Sequence, residues 1–176
     1  MTIIVDVANV MGSRPDGWWR DRAGAAVRLH DQVARLAASG RAVLPSGAGA
    51  PAEAGAPAGA GPSGEHGPPS GEHGPPAGEH GPPAGEHGPP GFVLVLEGAA
   101  RAAAARVPSA GSTTPSPGEV RVVQARGSGD DTIVAVAREL PGRRVVVTAD
   151  RGLRDRSVAV GATVLGPGWL LGLLRE

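Results

Sequence analysis

The chain has no cysteine and no tyrosine, and every one of its 17 basic residues is arginine. Without cysteine, disulfides, thiol catalysis and zinc–cysteine sites are excluded, and no disulfide-bonded partner is expected. Without lysine there is no Walker A lysine for a P-loop and no Schiff-base lysine. A phosphoaspartate site of the dehalogenase or receiver type also lacks its lysine. No apolar run approaches the ~20 residues that a membrane span needs. The first residues show no basic region leading into a long apolar stretch, so no signal peptide is expected and a cytoplasmic location is. Aromatics are scarce: Phe92, Trp18, Trp19 and Trp169 are all there are.

What is abundant is glycine and proline, concentrated in residues 45–90. There GEHGPP recurs four times with period seven, carrying His66, His73, His80 and His87. So few apolar side chains cannot offset the entropy of folding. The segment is expected to be a disordered low-complexity insertion, biased to extended geometry by its Pro-Pro steps. A solvated loop is favoured over metal binding by its histidines. Its deletion is expected to leave the melting temperature nearly unchanged. The rest, 1–44 and 91–176, is long enough for one domain with a core. The formal net charge of zero hides an imbalance. Five of the 17 acids lie in the insertion with no arginine, leaving 17 arginines against twelve acids elsewhere. Such a surface favours a polyanion; the alternative is a plain solvated surface.

The folding part opens on TIIVDVANV. A nearly unbroken apolar run reads as a strand buried on both faces, as in parallel sheets. It stops on Asp6, with Asn9 three residues on. Gly12, Pro15 and Gly17 predict a loop next, and one of Trp18 and Trp19 is expected to pack under the helix that follows. The other possibility is a stacking surface for a base. Residues 21–39 predict a helix with Ala26, Leu29, Val33 and Leu36 inward and Gly40 as its stop. Arg22, Arg28, Arg35, His30 and Asp31 are expected at the surface. Strands follow at 92–96, 120–124, 145–148 and 162–165. They alternate with helices at 98–106, 131–140, after Asp150, and at 167–174, with a loop over 107–118. The prediction is a doubly wound α/β fold with a central, mostly parallel sheet and helices on both faces.

In such a sheet ligands bind beyond the carboxyl ends of the strands. Asp6, Glu97, Asp150 and Asp130 or Asp131 all follow strands and converge on that edge. Four carboxylates in one crevice repel each other, and the arrangement makes sense around a divalent cation. Hard oxygen donors without His or Cys suit Mg²⁺ or Mn²⁺. Such an ion activates water and offsets charge on a phosphoryl group, so phosphodiester hydrolysis is expected. Helix capping could explain Asp130 or Asp150 alone. It does not explain Glu97, a poor cap, and with VANV following it is not expected of Asp6. Asp130 is preferred as the ligand because it is nearer the strand, with Asp131 capping or supporting.

The motifs VDVANV, LEG, GSGDDTIV, TADRGL and GATVLGPGWL, in that order, resemble the acidic signatures of the NYN branch of the PIN-like ribonucleases. The resemblance covers roughly 1–40 and 91–174. It implies a PIN-like fold and a metal-dependent endoribonuclease acting on RNA. Asp6, Asp130 and Asp150 then hold the metal, and Glu97 assists where the family more often has Asp. Asn9 is expected to hold Asp6 or a substrate phosphate. Thr148 and Ser128 are expected near a ligand water or as loop-finishing residues. Arg151, Arg154 and Arg156 are expected on phosphates, with an Arg151–Asp155 surface pair as the alternative. Three rivals stand beside this reading: a nucleotide phosphohydrolase on the same acids, a non-catalytic RNA-binding module, and a toxin-like nuclease with a protein inhibitor. A homo-oligomer is possible, but nothing in the sequence shows one.

Overall fold

The computed structural model describes residues 1–42, 44 and 88–175. All of the 45–90 insertion except Gly88, Pro89 and Pro90, the end of the fourth GEHGPP repeat, lies outside the described residues.

Five strands form one sheet: β1 (Thr2–Asp6), β2 (Gly91–Leu96), β3 (Val120–Gln124), β4 (Arg144–Val147) and β5 (Thr163–Leu165). Their order is β3-β2-β1-β4-β5, and every pairing is parallel. The chain works outward from β1 to β3 and then returns to β4 on the other flank of β1. The strand order therefore reverses between β1 and β4, which is where such sheets open a crevice.

The helices are α1 (Val7–Gly12), α2 (Arg22–Ser39), α3 (Gly129–Glu139), α4 (Arg151–Ala159) and α5 (Pro167–Leu173). Short 3₁₀ segments cover Trp18–Arg20 and Gly98–Arg106. The period-two geometry of a strand sends alternate side chains to opposite faces. Ile3, Val5, Phe92, Leu94, Leu96, Val145 and Val147 enter one core with α1, α2 and Leu170 of α5. Ile4, Val93, Val95 and Val146 enter the other with Ile133, Val136 and Ala137 of α3 and Leu153 of α4. The uninterrupted apolar runs of β1 and β2 follow from this burial on both faces. Each such buried side chain contributes roughly 1.5–3 kcal/mol.

α2 is stopped as its sequence predicts. Asp21 accepts from Gly24 N at 2.8 Å, and Gly40 closes the helix in the left-handed region at φ 66°. Arg22, Arg28 and Arg35 are exposed. His30, however, is buried and not at the surface as expected. Its ring nitrogens bond the Pro108 carbonyl at 2.9 Å and Asp31 at 3.2 Å, pinning the 107–118 loop to α2. A second difference is α1 itself, which the sequence reading left as strand end and loop. Asp6 supplies its cap.

Candidate active site

The site is built at the carboxyl edge, from segments far apart in the chain. β1 ends on Asp6, and its Oδ1 accepts from Asn9 N at 3.0 Å, capping α1. This corrects the expectation that Asp6 is not a cap. An Asp followed by a turn of apolar residues is a capping signal whatever else the carboxylate does. Its Oδ2 accepts from the Thr148 hydroxyl at 2.9 Å, just beyond β4. That bond crosses the point where the strand order reverses. Asn9 makes a second crossing there, its Oδ1 accepting from Ala149 N at 3.0 Å.

Asp150 caps α4, Oδ1 accepting from Leu153 N at 2.7 Å. Asp130 does not cap α3. Ser128 holds that position, accepting from Asp131 N. Asp130 thus sits in the first helical turn with no hydrogen-bond partner among the described residues. Glu97 makes the longest reach: Oε2 accepts from Gly129 N at 2.9 Å. A Cβ at residue 129 would collide with the Glu97 carboxylate, so the close approach requires glycine there.

Asp6, Glu97, Asp130 and Asp150 line one open cleft of about 390 Å³, together with Ala8, Asn9 and Gly12. Ala8 carried no expected role, and Gly12 was expected in the loop after β1. Both belong to α1, and only the Asp6 cap announced that helix. No arginine is in the lining.

The electrostatics follow from the placement. The Asp6 carboxyl is raised above its ordinary 3.8, first by burial, with Asp130 and Glu97 adding to it; the bonds from Asn9 and Thr148 pull the other way. Asp130 is also raised from 3.8, by burial first and then by Asp150, with Glu97 and Asp131 adding and Arg156 opposing. Asp6 and Asp130 are therefore harder to ionise, through burial first and neighbouring carboxylates second.

The remaining candidates are placed differently. Thr148 is fully buried. It accepts from Asp150 N at 3.1 Å while donating to Asp6, so it ties the two acids together and has no surface for a substrate. Of the two roles expected for Thr148, a bond to a ligand water or the finishing of the loop, these bonds fit the second. Ser128 serves α3 as its cap and is not in the cleft lining. Asp131 points outward into an ion pair with exposed Arg156. Arg154 donates to the Thr148 carbonyl at 3.4 Å. Arg151 is exposed, outside the lining, and the alternative, a pair with Asp155, is absent among the described residues.

Could the donors hold a divalent ion? All are hard oxygens, and the cleft lining contains no cation to neutralise them. Asp6 spends two of its roughly four lone-pair sites on internal bonds, and Asp130 spends none. As they stand, no three acidic or imidazole groups among the described residues are close enough to form a closed cage. An open set of this kind suits Mg²⁺, which keeps several waters and binds through one or two carboxylates plus substrate phosphates.

No helix among the described residues is long and apolar enough to cross a membrane. No protein-family model and no curated protein matches the chain. One solved structure does: a tryptophan-to-leucine mutant of Rae1 (YacP) from Bacillus subtilis, at 14% identity and TM-score 0.53. The match covers 99% of this chain and 74% of that one. At that identity the likeness shows the fold alone, and the fold is a PIN-like doubly wound α/β sheet.

Proposed function

We propose that this chain is a divalent-metal-dependent endoribonuclease of NYN type, cleaving RNA phosphodiester bonds in the acidic cleft. The observation that carries the reading is the gathering of Asp6, Glu97, Asp130 and Asp150 from four separate segments into one cleft without a lining arginine. The shared fold adds support, as does the order of acidic motifs along the chain.

Asp6, Asp130 and Asp150 are the residues that would hold Mg²⁺ or Mn²⁺. When bound, such an ion supplies water activation and charge stabilisation at the phosphoryl group. Thr148 and Asn9 keep Asp6 fixed and its ring of bonds intact. Glu97, held through Oε2, keeps Oε1 without a partner among the described residues and assists by orienting the attacking water. The arginine-rich surface outside the cleft brings the polyanion in.

The test is a mixed-sequence RNA incubated with Mn²⁺, with and without chelator, beside Asp6→Asn. Chelator should abolish cleavage. Asp6→Asn should reduce it by more than about 100-fold, since even groups that only orient a ligand are worth about 10–100-fold. The variant should stay folded, because Asn can still cap α1. Wild-type rates in Asp6→Asn would sink the assignment. Hydrolysis of nucleoside triphosphates but not RNA would give the site to a phosphohydrolase. Chelator-insensitive RNA affinity with no products would make it a binding module.

A further inference from the structure

The chain has four aromatic side chains and hides three of them wholly or in part. Phe92 is fully buried, and Trp18 and Trp169 pack half-buried against the core on the α1 side of the sheet. Trp19 is 56% exposed, beyond the position of any other large apolar side chain among the described residues. Leaving an indole in water forfeits the burial that the other aromatics gain.

Trp19 is not loosely attached. It sits in the 3₁₀ turn Trp18–Arg20, entered through Gly17 at φ 76° and closed by Arg20 N donating to the Gly17 carbonyl at 3.0 Å. Asp16 Oδ1 accepts from Trp18 N at 3.2 Å. The two indoles meet edge to face, with centroids 6.3 Å apart and planes at 87°. Trp18 thus braces Trp19 at right angles, and more than half of Trp19 remains open to solvent. Trp18 in turn abuts the cleft wall. A Cβ at cleft-lining Gly12 would lie 3.8 Å from Trp18 Cζ2. The guanidinium carbon of Arg20 lies 6.0 Å from the Trp19 centroid, and that of Arg22 lies 5.3 Å from the Trp18 centroid. The carboxylate cleft thus has beside it a rim with the opposite character, aromatic and cationic.

We propose that Trp19, braced by Trp18 and flanked by Arg20 and Arg22, is a stacking platform for an unpaired base of single-stranded RNA whose scissile phosphate lies in the neighbouring cleft. The identity of the occupant rests on the ribonuclease reading above. Its chemistry follows from the rim. An indole face accepts any base, and the two arginines offset the phosphates next to it. Those phosphates would otherwise be repelled by the acids. A duplex keeps its bases stacked inside and offers no face, so the platform selects unpaired strand.

The experiment uses the full chain in EDTA, so that cleavage does not interfere. Binding of a fluorescein-labelled mixed-sequence 12-mer RNA, as a single strand and annealed to its complement, is followed by anisotropy. Trp19→Ala should weaken single-strand binding about ten-fold, Trp19→Phe should stay within about three-fold of wild type, and duplex affinity should hardly move. The melting temperature of Trp19→Ala should match wild type, since the ring is exposed. Unchanged single-strand affinity in Trp19→Ala overturns the platform. So does an equal loss on strand and duplex, and so does the absence of RNA binding by wild type. Unchanged RNA affinity together with altered sedimentation would give the face to a second copy of the chain, which also overturns it. The two readings fail separately. Trp19-dependent binding without cleavage in Mn²⁺ removes the nuclease and leaves the platform, whereas cleavage with Trp19-independent binding does the reverse.

Discussion

The two ends of the parallel sheet treat charge in opposite ways. At the amino end, Arg144 opens β4, and both its Nη atoms find neutral partners while Nε is buried without one. Nη1 donates to the Leu140 carbonyl at 3.1 Å, and Nη2 donates to Val160 and Gly161 at 3.4 and 3.2 Å. Backbone bonds from Thr2 N to Arg143 O and from Phe92 N to Glu119 O complete that edge. At the carboxyl end, four carboxylates face a shared space with no lining cation, and two of them, Asp6 and Asp130, are raised in pKa first by burial and then by neighbouring carboxylates. One end uses its polar groups to hold elements together. The other keeps its carboxylates without a lining cation, which costs stability. A substitution at the amino end should therefore read out in folding, and one at the carboxyl end in chemistry.

The sharpest way to break that contrast is Thr148→Val. It removes the donor to Asp6 and the acceptor for Asp150 N while keeping the shape. Cleavage should fall by about 10–100-fold, as for other groups that orient a ligand. The acid limb of the pH–rate profile should move to higher pH, because the ionised Asp6 loses a bond that favours it. An unmoved profile would mean that Thr148 merely fills space.

Melting against pH, measured in chelator, gives the next effect. The folded-state pKa of Asp6 is raised, so the folded protein binds this proton more readily than the unfolded chain does. Its favourable contribution is complete below 3.8 and is lost as pH rises through the raised value. Asp6→Asn does not titrate there. The melting temperature of the variant relative to wild type should accordingly rise between pH 4 and pH 7. A gap that is flat or shrinks with pH would contradict the buried-charge account.

Arg144→Met tests the amino end. It strands three carbonyl acceptors and should lower stability by about 1–3 kcal/mol in urea unfolding. Cleavage per folded molecule should not change. A selective loss of activity would erase the distinction between the two ends. The smallest expected effect is that of Asp131→Asn. This neighbour of Asp130 is paired with Arg156 on the surface. Its loss should cost less than about 1 kcal/mol and leave cleavage near wild type. A large loss of activity would bring Asp131 back into the site.

Much of this architecture is legible along the chain. The apolar runs of β1, β2 and β4, each ending near an acid, announce strands buried on both faces, and the four stripe positions of α2, Ala26, Leu29, Val33 and Leu36, are all buried, joined by Ala25, His30 and Ala37. Short-range chemistry was harder to read. The four residues after Asp6 are apolar enough to extend a strand, so α1 was hidden. The Ser128 cap was passed over although Ser-x-x-Asp before an apolar run is a capping signature; with Ser128 as cap, Asp130 lines the cleft and Asp131 pairs with Arg156 outside it. His30 looked like a surface residue among charges because its partner, the Pro108 carbonyl, is 78 positions away.

By itself the sequence determined the alternation of buried strands and helices, because burial on two faces leaves its mark in local hydrophobic pattern. It also determined which residue types were on hand: acids at strand ends, arginine as the sole strong base, four aromatics. Only the tertiary structure decided which polar groups meet. The Asp6–Thr148, Asn9–Ala149 and Glu97–Gly129 bonds each join segments brought together by the strand order, and no local pattern encodes a contact whose partner lies 32 to 142 residues away.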